Sequence, residues 1–234
     1  MIARFVCVAV RRLSFLTVVM ALLAGSAAAS GMGDGWSSLF TPDLSNAIYP
    51  QGVWRMEDGV LTATADDVIW SSRPYENFVL DLEFKNAPGS NSGVIIYASE
   101  REDWIPNSLE IQIADDHDEQ WGNAPGSWRA GAIFGHVAPS GSMVKPPGLW
   151  NRLIIEAIKD SIKVTLNGTV VSRMDMKKWT SATTNPDGSH IPSWLSRPVA
   201  ELQRSGYVGL QGFHGEAPVW FRKIRIKELA APFE

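Results

Sequence analysis

Apolar and polar residues alternate along much of this chain with the two-residue period of half-buried β-strands. In NFVLDLEFKN (77–86), Phe78, Leu80, Leu82 and Phe84 share one face, and Val79, Asp81, Glu83 and Lys85 the other. LEIQIAD (109–115) repeats the pattern, with Leu109, Ile111 and Ile113 opposite Glu110 and Gln112. SGVIIYAS (92–99) is more uniformly apolar, and AGAIFGHV (130–137) and GYVGLQGF (206–213) read as further strands. VWRMEDGVLTAT (53–64) reads as two strands around the turn Glu57-Asp58-Gly59. WNRLIIEAIKDSIKVTLNGTVVSRMD (150–175) reads as three, turning at Lys159-Asp160 and Asn167-Gly168. Asp-Gly and Asn-Gly are strong hairpin signals, because both turn residues must accept positive φ. APVWFRKIRIKEL (217–229) closes the series.

No long segment has a helical period. Many short strands at regular spacing predict an all-β fold, a sandwich or jelly roll, in a single domain. The least regular stretches are 115–129, 138–149 and 176–205, and loops of such length usually serve a function. The last contains His190 and Trp194 and is placed to flank or cover a site.

The first 29 residues follow another pattern. Arg4, Arg11 and Arg12 precede the apolar run LSFLTVVMALLAG, and GSAAAS offers small residues for cleavage near Ala29. This predicts a secretory signal peptide, with the folded domain occupying 30–234 and the product periplasmic or secreted by a bacterium. Removing it leaves 18 basic against 25 acidic residues, a net charge near −7, which disfavours nucleic acid as a partner. It also removes Cys7, the only cysteine, so the mature chain has no disulfide. The apolar run is short for a membrane span, no lipid-bearing cysteine follows it, no other segment approaches the length needed, and no membrane association is expected after cleavage. All ten Trp lie beyond residue 30. Their flat apolar faces with a polar edge suit both strand packing and stacking on sugar rings.

The order of motifs is informative: GWSSLFTPDLS, VWRMEDGVL, NFVLDLEFK, NSGVIIY, LEIQIADD, AGAIFG, LWNRLIIEA, VTLNGTVV, GYVGLQGFHG and VWFRKIRIKEL. This series, from Gly35 to Leu229, resembles the bacterial 3-keto-disaccharide hydrolase domain family. The resemblance implies a concanavalin A-like jelly roll of two curved antiparallel sheets, with carbohydrate bound on the concave face. It also implies exported enzymes that cleave glycosides whose glucose carries a ketone at carbon 3. Two departures stand out. Lys223 replaces the Asn of the family's FRN-I motif, and Phe213 adds a residue between Gln211 and His214.

The strand at 109–115 also resembles the Glu-x-Asp-x-x-Glu strand of laminarinases and lichenases, whose two carboxylates stand about 5 Å apart as nucleophile and acid. Here the spacing is Glu110-x-Gln112-x-x-Asp115, so an amide replaces the middle acid. Strict alternation puts Asp115 on the face opposite Glu110 unless a bulge intervenes. A keto-sugar needs less. The ketone acidifies the carbon 2 proton, and a single base can expel the aglycone by elimination before water adds back. Such an enzyme needs a base, a stabiliser for the enolate and an acid for the leaving oxygen.

Candidate residues follow. Glu110 is the first choice as base, and Asp115, His117 and Arg222 are candidates for acid/base work and enolate stabilisation. Asn91, Gln112, Trp128, His136, Gln211 and His214 are candidates for binding sugar. Glu110, Asp115 and His117 could instead hold a divalent metal, calcium or another, that polarises the carbonyl. Bland alternatives stand beside these. Glu110 could pair with Arg222, Asn91 could shape a turn, Asp115-Asp116 could cap a loop or hold a structural calcium, and His136 could be a strand-end residue. Zinc is disfavoured because no His-x-x-x-His spacing occurs, and a Ser nucleophile because no G-x-S-x-G occurs. A carbohydrate-binding domain without catalysis is the rival function, and a scaffold domain a third.

Overall fold

The computed structural model describes residues 35–215 and 217–230. The stretch expected to be a signal peptide lies outside them. The described strands are β1 (Trp36–Ser38), β2 (Ala47–Ile48), β3 (Trp54–Glu57), β4 (Val60–Ala63), β5 (Val68–Ser71), β6 (Phe78–Asn86), β7 (Asn91–Ala98), β8 (Leu109–Ala114), β9 (Trp150–Ile158), β10 (Ser161–Leu166), β11 (Thr169–Asp175), β12 (Tyr207–Gln211) and β13 (Val219–Glu228). They form two antiparallel sheets, a jelly-roll sandwich. The larger runs β11-β10-β9-β6-β13-β4-β3, with β1 also on β13, and the smaller runs β2-β5-β12-β7-β8. A short helix, α1 (Glu119–Gly122), follows β8.

The two-residue period decides what each sheet buries. Phe78, Leu80, Leu82 and Phe84 of β6 turn inward and are at most 1% exposed. They meet Val94 and Ile96 of β7, Leu109, Ile111 and Ile113 of β8 and Leu210 of β12 in one core. Full burial of each such side chain contributes about 1.5–3 kcal/mol. The expected hairpins are in place. Asp58-Gly59 and Asn167-Gly168 take positive φ throughout and close β3–β4 and β10–β11, and Lys159, at φ 50°, begins the β9–β10 turn.

Segment 130–137 departs from the expected strand. Gly131 and Gly135 take positive φ and bend it. It runs beside β8 only briefly, Gly131 and Phe134 donating backbone hydrogen bonds to Gln112 and Glu110.

The outer face of the larger sheet is held by ion pairs. Asp81 accepts hydrogen bonds from Arg152 (2.8 and 2.9 Å) and Arg225 (2.6 and 3.0 Å). Burial raises the Asp81 pKa, but the two guanidiniums outweigh it and hold the carboxylate below its ordinary range. A register shift in β13 at Lys223, whose φ is 52°, brings both Arg222 and Arg225 to this face.

Candidate active site

The outer face of the smaller sheet forms the floor of a cleft of about 890 Å³. Glu110 and Gln112 of β8, Asn91 of β7 and Gln211 of β12 line it. All lie on the face turned away from the core, as alternation requires. Loops raise aromatic walls around this floor: Trp104 before β8, Trp121 on α1, and Trp128, Phe134 and Trp194 beyond it. Trp128 packs against Phe134 at 5.3 Å and against Trp194 at 5.9 Å between ring centroids.

Glu110 occupies space left by a glycine. A Cβ at Gly93, on the neighbouring strand, would lie 2.0 Å from Glu110 Oε1 and 2.7 Å from its Cγ and Cδ. The carboxyl therefore leans across β7 toward the middle of the sheet. It is half-buried and makes no hydrogen bond or ion pair with the described residues. Burial, reinforced by the negative charge of Asp66, pushes its pKa from 4.5 up to about 8. A carboxyl poised near neutrality is suited to taking and returning a proton.

The amides are organised around it. Gln112 donates through Nε2 to Asn91 Oδ1 at 2.9 Å. Gln211 ends β12, whose register with β7 and β5 sets its place on the floor. His214 follows on a loop fixed by backbone hydrogen bonds from Gly212 to Asp67 and from His214 to Asn91. Only a glycine fits at 212, since a Cβ there would lie 2.2 Å from the Ala65 carbonyl oxygen. His214 Nδ1 stands 2.6 Å from Asp66 Oδ2, and both residues line the cleft. The additional residue, Phe213, packs against the core without withdrawing His214.

Of the expected site residues, Glu110, Gln112, Asn91, Gln211, His214 and Trp128 come together in this cleft. Four others do not join them. Arg222 points away from the core, as its alternation with Phe221 implies, but it does so on the opposite sheet. There it donates to Glu83 at 2.6 Å and lies over the Trp150 ring. It neither pairs with Glu110 nor reaches the cleft floor. Asp115 is buried because no bulge interrupts β8 against β7. Its carboxylate accepts from the backbone N–H groups of Gly89 and His117 and shapes the turn. His117 is exposed on that turn, with Nε2 3.2 Å from the Val144 carbonyl oxygen. Glu110, Asp115 and His117 thus do not converge on one metal position. Among the described residues no group of three or more His, Cys, Asp or Glu side chains is disposed to hold a metal ion. His136 lies outside the cleft and is buried, with Nδ1 3.3 Å from Asn185 Oδ1. Burial lowers its pKa to about 4, so it is neutral at ordinary pH.

Asp66, Trp104, Trp121 and Phe134 are cleft residues that the strand pattern did not single out. The abundance of Trp signalled that platforms exist, but only the folded loops show which of them face the floor.

Two antiparallel sheets with an open, aromatic-walled cleft on one outer face define a jelly-roll protein with room for a ligand in that cleft. Residues 33–227 match the 3-keto-alpha-glucoside-1,2-lyase-like domain, and the chain belongs to that family. It is a carbohydrate-active, glycoside hydrolase-like domain. A 3-keto-disaccharide hydrolase of Bacteroides thetaiotaomicron is 24% identical, the match covering 84% of this chain and 79% of that protein. A crystal structure of a candidate glycosyl hydrolase from Parabacteroides distasonis superposes with a TM-score of 0.82 at 52% identity, over 84% of this chain and all of that one. A second from the same organism gives 0.68 at 22% identity, over 84% and 94% of the two chains, and shares the fold.

Proposed function

We propose that this protein is an exported enzyme that cleaves the glycosidic bond of 3-keto-glycosides by elimination followed by hydration. The observation that carries the reading is Glu110, a carboxyl with no partner among the described residues and a pKa near 8, set among amides on the cleft floor. Family membership supports the substrate class, as does the name of the Bacteroides relative. Export rests on the pattern of residues 1–29.

The chemistry assigns each residue a task. Ionised Glu110 takes the carbon 2 proton of the bound keto-sugar. The electron pair moves into the enolate, then forms the carbon 1–carbon 2 double bond as the carbon 1–oxygen bond breaks. His214, held by Asp66, delivers a proton to the departing oxygen. Water from the open cleft then adds to carbon 1 and gives a proton back to His214, while Glu110, whose proton has exchanged with that water, protonates carbon 2, and the sum is hydrolysis. Gln112, Asn91 and Gln211 supply hydrogen bonds to hydroxyls and to the charge that develops on the carbon 3 oxygen.

The test is to incubate the mature protein with a glucoside and its 3-keto derivative, with and without chelator. Aglycone release from the keto-sugar alone is the expected result. Equal release from both would refute the reading. Binding without turnover would assign the cleft to a carbohydrate-binding domain.

A further inference from the structure

The outer face of the larger sheet, across the sandwich from the cleft, carries its own ordered set of side chains. Strand register lines up Trp150 of β9, Lys85 of β6 and Trp220 of β13 in one row, and Arg152, Glu83 and Arg222 in the next. Two residues along each strand separate the rows, about 7 Å. Lys85 Nζ lies 5.2 Å from the ring centroid of Trp150 and 4.6 Å from that of Trp220, and the Arg222 guanidinium lies 4.0 Å over Trp150. The indoles thus hold two long cationic side chains in place before any ligand arrives, which lowers the entropy lost on binding.

Charge on this strip is unbalanced. Asp81 takes Arg152 and Arg225, and Glu83 takes Arg222 at 2.6 Å and Lys223 at 2.9 Å. Lys85 has no carboxylate partner among the described residues. Five cations therefore face two carboxylates, in a mature chain whose net charge is near −7. Lys223 is also costly where it stands. Its φ of 52° is a left-handed conformation that Asn adopts with less strain than Lys. Its ion pair is exposed on the lysine side and contributes at most about 1 kcal/mol. The fold gains little from a cation here, whereas a bound anion gains directly. Beside the strip opens a cavity of about 540 Å³, lined by Lys223, Arg152 and Arg225 together with Pro42 and Met56.

We propose that this face is a second binding site, for an acidic polysaccharide of the uronate type. Its carboxylates pair with Lys85, Arg222 and Lys223, and its sugar rings meet the half-exposed indoles of Trp150 and Trp220. A membrane or a nucleic acid presents a field wide enough to repel the acidic remainder of the protein; a single polysaccharide chain lies within the strip. Such binding tethers the protein to a matrix whatever the cleft does, and it does not rest on the glycoside-cleaving reading.

The test measures binding of the mature protein to polygalacturonate, with neutral dextran and vesicles of anionic phospholipid as comparisons. Polygalacturonate should bind and dextran should not, and the affinity should fall roughly tenfold between about 20 mM and about 300 mM salt. Lys85→Gln and Lys223→Asn should each weaken binding about fivefold, and the double variant about twentyfold or more. Lys223→Asn should melt within about 2 °C of wild type, because the lost ion pair is offset by relief of backbone strain, so weaker binding is not loss of fold. No binding of polygalacturonate, equal binding of dextran, tighter binding of the vesicles, or binding untouched by both substitutions would overturn the site. The readout is binding alone, so it is decided separately from turnover in the cleft.

Discussion

Glu110→Gln should make the protein more stable at alkaline pH while removing its activity. The folded carboxyl has a pKa of about 8, against 4.5 when solvated. Between these values the native state holds a proton that the unfolded chain has released. Stability attributable to Glu110 is therefore fully present below about pH 4.5 and is lost as pH rises through 8. A displacement from 4.5 to about 8 corresponds to about 5 kcal/mol at about 1.4 kcal/mol per pH unit. The cleft is open to water, so the part recovered on neutralisation should be about 2–4 kcal/mol. Urea unfolding of wild type and variant at about pH 5 and about pH 9 isolates this quantity, because other titrating groups cancel in the comparison. The variant's advantage should be near zero at the lower pH and reach at least about 2 kcal/mol at the higher. An advantage equal at both would show that Glu110 is not held neutral by its surroundings, and the account of its reactivity would fall with it.

Further consequences can be measured alongside. Gly93→Ala drives a methyl group into the Glu110 side chain; the fold should survive with kcat/KM reduced about a hundredfold or more, and unchanged kinetics would show that this placement is irrelevant. His136 is buried with its pKa lowered to about 4, so its contribution is complete above pH 6.5 and lost as pH falls toward 4; chemical unfolding should show about 3 kcal/mol of acid sensitivity that His136→Gln removes. On the opposite sheet, Asp81→Ala leaves Arg152 and Arg225 without their shared carboxylate and should cost about 2–3 kcal/mol of stability. Arg222→Ala, on that same face, should leave turnover within about twofold, and a large kinetic loss would contradict its placement outside the cleft.

The strand pattern revealed a great deal because burial follows a period of two. It placed Leu109, Ile111 and Ile113 inward and Glu110 and Gln112 outward, and the Asp-Gly and Asn-Gly pairs marked their hairpins. Alternation says which side of its own strand a residue occupies, but not which sheet that strand joins. Arg222 alternates with Phe221 and so faces outward, yet it lies away from Glu110, since β13 belongs to the larger sheet and β8 to the smaller. Asp115 depended on a bulge, a feature of register between strands that one strand's sequence does not encode. Asp66 was hidden for a related reason. It is one of two adjacent loop acids, Asp66-Asp67, and only the return of the His214 loop beside it makes the pair. The same holds for Trp104, Trp121 and Phe134, whose orientation toward the floor depends on how their loops fold.

The central claim is that Glu110 takes the carbon 2 proton of a keto-sugar, and the fate of that proton tests it most directly. A 3-keto-disaccharide labelled with deuterium at carbon 2 should lose its label to solvent as the leaving sugar is released, and Glu110→Gln should stop both events. Release of the leaving sugar by the wild-type enzyme with the label fully retained would contradict the account.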